Sequence, residues 1–309
     1  MQKLAIFVVI LIIQSFAVVY GQYLAAGNPQ LNMAEPSVLS DKELAFSLTY
    51  FHGYANKYFY EDHVFNNLKT IKSAYTNYAV FKSAYGFTPK LSASVELGYF
   101  FNKTINYQDS SQNGHGLGDA AVYMRYRLIY SKNAKFIMLP FVGIKLPIGF
   151  FDQKSAILNL PIEVQPASGN FKYMTGIYMS KVINDKLSVA SLCSYEYAQL
   201  IDSENFYYKY GDQWMLSFLA NYKFSERLSS DLQFRFETKD KSHLALSKII
   251  ESSGYKILLV CPQITYDFIN NWQISVYTQL PLYRYYNGTQ LSSCFSVSVR
   301  ILKKLDLKF

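Results

Sequence analysis

The feature that most constrains this chain is a short turn that keeps recurring along it. An aromatic or aliphatic pair runs into two or three turn-forming residues. A large apolar residue and a Ser-containing alternation follow. The copies are Gly86-Phe87-Thr88-Pro89-Lys90-Leu91-Ser92, Val182-Ile183-Asn184-Asp185-Lys186-Leu187-Ser188, Phe224-Ser225-Glu226-Arg227-Leu228-Ser229 and Phe268-Ile269-Asn270-Asn271-Trp272-Gln273-Ile274-Ser275. A weaker copy, Tyr130-Ser131-Lys132-Asn133-Ala134-Lys135-Phe136, fills the gap between the first two. The spacing of roughly 45 residues matches one hairpin plus one long loop. Tight turns on one side and long loops on the other are the organisation of an up-and-down transmembrane β-barrel.

Between the turns, polar and apolar residues alternate. Leu232, Phe234 and Phe236 oppose Asp231, Gln233, Arg235 and Glu237. Val122, Met124, Tyr126 and Leu128 oppose Tyr123, Arg125 and Arg127. Ala93, Val95, Leu97 and Tyr99 oppose Ser92, Ser94 and Glu96, and Phe295, Val297, Val299 and Ile301 oppose Ser296, Ser298 and Arg300. A period of two gives each strand one apolar and one polar face. In a membrane barrel the apolar face meets lipid and the polar face lines the lumen. Twelve such segments are expected, at 43–57, 72–86, 91–103, 118–130, 136–147, 171–183, 187–200, 213–224, 228–239, 255–267, 272–285 and 290–302. The even count is what single-chain bacterial barrels show. The tight turns follow the even-numbered segments. The loops 58–71, 104–117, 148–170, 201–212, 240–254 and 286–289 therefore share the opposite end, which faces outward if both termini are periplasmic.

Lys3 and the apolar run Leu4 to Tyr20 read as a signal peptide, with cleavage after Gly21. The expected organisation is a signal peptide over 1–21, a periplasmic segment or plug over 22–42 and a barrel over 43–309. Removing the first 21 residues takes Lys3 away and leaves 29 basic against 22 acidic residues, a net charge of +7. That modest surplus suits anionic lipid head groups or a pore lining and does not call for nucleic acid. Tyr and Phe together number 51, high for a soluble domain and normal for a barrel with two aromatic girdles. Cys193, Cys261 and Cys294 fall in three separate segments without metal-type spacing and read as packing residues.

Several segments resemble a known family. Gly116-Leu117-Gly118-Asp119 is followed by Tyr126-Arg127-Leu128, then Gly143-Ile144-Lys145-Leu146-Pro147-Ile148-Gly149, Leu160-Pro161 and Val164-Gln165-Pro166-Ala167-Ser168-Gly169. These are similar in order to the "GxGD…KYRL…GxKLPTG…LP…QPGSG" signature of the outer-membrane transporter family named for the meta pathway of phenol degradation. Ile148 replaces the family's Thr, and Ala167 departs from its "PGSG". The resemblance spans roughly residues 75–300. It implies a channel for small, often hydrophobic, molecules, loosely like the long-chain fatty-acid and hydrocarbon channels. Read from the residues alone, Gly114, Gly116 and Gly118 permit positive φ in a loop re-entering the sheet, and Asp119 bonds nearby backbone N–H groups. A phosphate loop would need a following helix, and the next residues alternate as a strand.

The inward charges are expected to be Glu96, Arg125, Arg127, Lys145, Glu196, Lys223, Asp231, Arg235, Glu237 and Arg300. They form either a charged eyelet or internal pairs filling the lumen. Loop 148–170 either folds inward and narrows the pore or caps the outside. Pro140, Pro262 and Pro281 each remove a ladder donor. Pro262 and Pro281 mark either a lateral gap, through which an apolar solute leaves, or an ordinary bulge. His63, His115 and His243 lie in loops on one side and His52 in the first segment, with no nucleophile motif beside them, so no enzyme, catalytic residue, metal or cofactor is expected. The chain reads as an outer-membrane channel for passive passage of small molecules. Its partners would be outer-membrane lipids, a small solute and, through the C-terminal Phe309, the outer-membrane assembly machinery. The alternatives are a sealed structural or adhesive barrel and an outer-membrane hydrolase.

Overall fold

The computed structural model describes residues 39–67, 70–155, 158–203, 206–244 and 248–307. The expected signal peptide, residues 22–38 and Phe309 lie outside the described residues. Eleven strands form the ring: β1 (Glu43–Glu61), β2 (Ile71–Gly86), β3 (Leu91–Tyr107), β4 (Ser111–Tyr126), β5 (Phe136–Leu146), β6 (Lys172–Val182), β7 (Leu187–Ala198), β8 (Gln213–Lys223), β9 (Leu228–Lys239), β10 (Tyr255–Asp267) and β11 (Trp272–Asp306). Each pairs antiparallel with the next, and β11 returns to pair with β1 from Glu43↔Asp306 to Glu61↔Tyr286. The ring is closed, which removes the free edges that an open sheet exposes. Two short strands, His63–Val64 and Ile129–Ser131, flank it.

The count of twelve segments needs one correction. Residues 286–289 form no separate loop: strand pairing reaches both sides of Gly288, where β11, a continuous element of 35 residues, turns back on itself. Its first half pairs with β10 and its second half with β1. The halves also lie against each other. Arg300 Nη2 donates to Ser275 Oγ at 3.1 Å, and Lys303 Nζ sits 5.3 Å from the Trp272 ring centroid. Gly288, at φ +63°, supplies the left-handed step of this tight hairpin. The second half also runs through Lys303 and Lys304 to Asp306, beyond the expected stop at 302.

Burial is inverted relative to a soluble domain. Along β9, Asp231, Gln233, Arg235 and Glu237 are 1–7% exposed, while Leu232, Phe234 and Phe236 are 38–43% exposed. The same parity holds on β4 and on the second half of β11, where Arg125 and Arg300 are buried and Met124 and Ile301 are exposed. Each large apolar side chain so exposed forfeits about 1 kcal/mol in water. An apolar surroundings removes that cost. Inside, rings fill space over glycines on the neighbouring strand: Tyr78 over Gly98, Tyr123 over Gly143 and Phe141 over Gly176.

The recurring turn has one geometry. Phe87, Ile183, Phe224 and Phe268 each donate a backbone N–H to the carbonyl four residues on, at 2.7–2.9 Å. In three copies the next side chain caps the turn, with Leu91, Leu187 and Leu228 N–H donating to Thr88 Oγ1, Asn184 Oδ1 and Ser225 Oγ at 2.8–3.1 Å. Thr, Asn and Ser are interchangeable there because each offers a short side-chain acceptor. The fourth copy uses Asn270 and Asn271 at φ near +60° instead. All these turns lie at the end of the barrel where Leu307 N–H bonds Lys42 O.

Candidate functional site

Alternation gathers charged side chains from many strands in the barrel interior. The expected residues fall into distinct groups. Lys145 and Glu196 meet at 2.7 Å, with Lys172 Nζ 3.8 Å from the same carboxylate. Arg235 and Glu237, on one strand, pair at 2.7 Å. Asp231 accepts from Asn221 Nδ2 and Gln263 Nε2, both at 2.8 Å. Arg300 donates to Ser275 and, at 3.4 Å, to Gln273. Arg125 Nη1 donates to Ser94 Oγ at 2.8 Å, and Glu96 pairs with Lys82 at 3.2 Å. Two residues stand apart. Arg127 sits at the turn rim with Cζ 5.3 Å from the Tyr130 ring, and Lys223 is exposed beside its turn.

Four inward residues escaped the sequence reading. Lys172 and Lys239 occupy the ends of β6 and β9, and strand parity alone places both inside with Met174 and Glu237. Lys103 was hidden by a register shift between Phe100 and Lys103, which reverses the parity of β3. Tyr210 comes from the loop before β8, where no periodicity reports direction. Lys172 and Lys239 place their ammonium groups 4.8 and 5.4 Å from the Tyr210 ring centroid.

Loop 148–170 folds inward. Its residues Glu163 to Ser168 are all buried. Leu160 and Val164 pack against Ala55, Tyr58, Ile71, Ala74, Ile105 and Leu291 on one wall. Phe151 and Ile162 pack against Ala198, Ile201, Tyr208 and Tyr210 towards the other. The loop is also tied by polar bonds. Ser168 N–H donates to Asp119 Oδ1 at 2.9 Å, Lys103 Nζ to Gln165 O at 3.2 Å, and the Gln165 side chain bridges Gln153 and Leu160. Burial without the barrel's strong partners pushes the Glu163 carboxyl up to about 7, against the pull of Lys103 and Lys239.

The motif segments thus converge on the seat of this loop. Asp119 does bond a backbone N–H, but one 49 residues away. Of Gly114, Gly116 and Gly118, only Gly116 has positive φ, +121°. Gly114 is needed for closeness, since a Cβ there would lie 2.0 Å from Val164 O.

The ladder between β10 and β11 is interrupted. A register shift falls between Leu258 and Leu259, where Tyr283 and then Pro281 are the partners. Pairing skips from Val260↔Leu280 to Gln263↔Tyr277, leaving Cys261 and Pro262 without ladder partners on β11. Pro262 still pairs with Leu232 on β9, and Pro140 pairs with Ile177 in an unbroken β5–β6 ladder. An apolar cluster of Phe59, Ile257, Leu259, Cys261 and Tyr286 backs the break from inside. The loop histidines are dispersed: His63 pairs with Asp62, His115 N–H bonds Gln153, and His243 lies in a short strand, His243–Leu244, that pairs with Phe206–Lys209.

An outer membrane channel from Pseudomonas putida F1 superposes on 89% of this chain and all of its own, with a TM-score of 0.72 at 13% identity. The chain has the fold of an outer-membrane channel barrel. The NanC porin (TM-score 0.46, 12% identity, 84% of this chain and 97% of its own) and the CymD monoaromatic hydrocarbon channel (0.42, 11%, 86% and 89%) share only the general barrel form. No protein-family model and no curated protein sequence matches the chain.

Proposed function

We propose that this protein is an outer-membrane channel for passive passage of small solutes, narrowed by loop 148–170. The observation that carries the reading is the closed ring with a charged, hydrogen-bonded interior and an apolar exterior. Water-filled barrels have that arrangement and soluble β-domains have the reverse. In this reading the tight turns face the periplasm and the long loops face outward. Glu96, Arg125, Lys145, Glu196, Asp231, Arg235, Glu237 and Arg300 line the passage, and the apolar belt meets lipid. Residues 1–21 direct export, and Phe309 serves assembly.

Planar-bilayer conductance together with liposome swelling tests the proposal. Small discrete openings and slow solute entry are expected, because the inward loop occupies much of the section. Absence of both would sink the channel and favour a sealed adhesive barrel. The interrupted β10–β11 ladder supports a second reading, in which apolar solutes leave sideways at Pro262. A disulfide between Pro262→Cys and Thr278→Cys, in a background without the native cysteines, should block apolar uptake and spare ion conductance. Unchanged apolar uptake in the cross-linked protein would leave Pro262 as an ordinary bulge.

A further inference from the structure

The interior at the loop end holds more positive charge than its carboxylates balance. Five cations, Lys103, Lys145, Lys172, Arg235 and Lys239, face four carboxylates, Asp119, Glu163, Glu196 and Glu237, all of them at most 8% exposed. Two carboxylates have a close cation each: Glu196 takes Lys145 and Glu237 takes Arg235, both at 2.7 Å. Glu163 lies in the field of Lys103 and Lys239, and Asp119 is engaged by the Ser168 N–H. Lys172 reaches only the far oxygen of Glu196, at 3.8 Å. Among the described residues Lys239 has no carboxylate at ion-pair distance, and its nearest aromatic support is Tyr210. A buried ammonium without a carboxylate partner is unfavourable unless it sheds its proton or an anion joins it.

A second observation points the same way. Tyr210 is 1% exposed, and its hydroxyl has no hydrogen-bond partner among the described residues. Buried tyrosine hydroxyls are normally satisfied. This one belongs to the ring that both Lys172 and Lys239 approach. Two ammonium groups and one unused O–H donor on a single ring make a donor set for a carboxylate. The neighbouring side chains are apolar: Ala198, Ile201 and Tyr208 pack with Tyr210, bordered by Phe151, Ile162 and Phe206.

We infer that the interior between Lys172, Lys239 and Tyr210 is a binding site for a small monocarboxylate with a short apolar body. Two ammonium groups on one ring, of which Lys239 has no carboxylate at ion-pair distance among the described residues, match a ligand carrying a single carboxylate. Lysines, which act as mobile point charges without a fixed fork, hold a carboxylate while allowing its release. A passage needs that balance between entry and exit. The inference rests on the channel reading for its purpose, but the binding can be measured without conduction.

The test uses the full chain folded in detergent, with folding checked by heat-modifiable migration. Equilibrium dialysis with radiolabelled butyrate should show saturable binding that the neutral isostere butyramide does not displace. Lys172→Gln/Lys239→Gln should weaken binding by about tenfold or more, as expected for losing charge-assisted donors. Tyr210→Phe, which keeps the ring and the fold, should weaken it by about threefold or more. Lys181→Gln, on the outer face, should leave it unchanged. In bilayers under a KCl gradient the wild type should favour chloride, and the double variant should lose that preference. Displacement by butyramide, or binding unaffected by both variants, would overturn the site. Butyrate binding without any conductance would uphold the site and sink the channel.

Discussion

Replacing Gly114 by alanine tests whether loop 148–170 is seated by close contact. The added Cβ would lie 2.0 Å from Val164 O and 3.0 Å from Val164 C, both backbone atoms. Ordinary contact between such atoms is about 3.5 Å, so the loop must retreat by about 1.5 Å. Val164 is fully buried against both β2 and β3, and a retreat unpacks it. Overpacking of this kind costs about 1–3 kcal/mol. The same movement stretches the 3.2 Å bond from Lys103 to Gln165 O, a further loss of about 1 kcal/mol. A total near 3 kcal/mol lowers the docked-to-undocked ratio about 100-fold. The ring itself is untouched, so heat-modifiable migration should persist. Single-channel conductance should rise, and amide exchange over 158–170 should accelerate while β1–β11 stay protected. Gly53→Ala is the control, because its Cβ meets the Phe51 ring at 3.0 Å, which can yield, and Ser296 Cβ at an ordinary 4.0 Å. If Gly114→Ala leaves both the conductance and the exchange of the loop unchanged, the close-contact argument is wrong.

Three further outcomes follow from the same geometry. Glu196→Gln should destabilise the barrel more than Lys145→Gln, since it strands two buried ammonium groups rather than one carboxylate. Urea titration in lipid vesicles should read a loss of about 3–5 kcal/mol for it. Glu163, raised to about 7 when docked, carries no penalty at acid pH and a growing one as pH rises from about 4.5 through 7. Loop docking should therefore weaken by up to about 3 kcal/mol across that window, seen as conductance rising with pH, and Glu163→Gln should flatten the profile. Asn184→Ala removes the acceptor for both Lys186 N–H and Leu187 N–H and should cost the β6–β7 hairpin about 1 kcal/mol, measurable by local amide exchange.

The sequence by itself determined the barrel, the recurring turns and the sign of each face. All three come from local rules: a side-chain period of two, and a short acceptor at a fixed turn position. Asp231, Arg235 and Glu237 could be placed inside for that reason alone, and Lys172 and Lys239 were within reach of the same rule at the strand ends. Tertiary structure alone decided where parity breaks and what the loops do. The register shift in β3 turned Lys103 inward, and a tight turn at Gly288 in place of a loop joined two expected segments into β11. The fold of loop 148–170 came from contacts far apart in the chain, such as Lys103 with Gln165, 62 residues away, which no local pattern encodes. Alternation tells a residue which face it occupies. It does not say which other strand's residue it will meet there, and that meeting is what makes the lysines around Tyr210 a site.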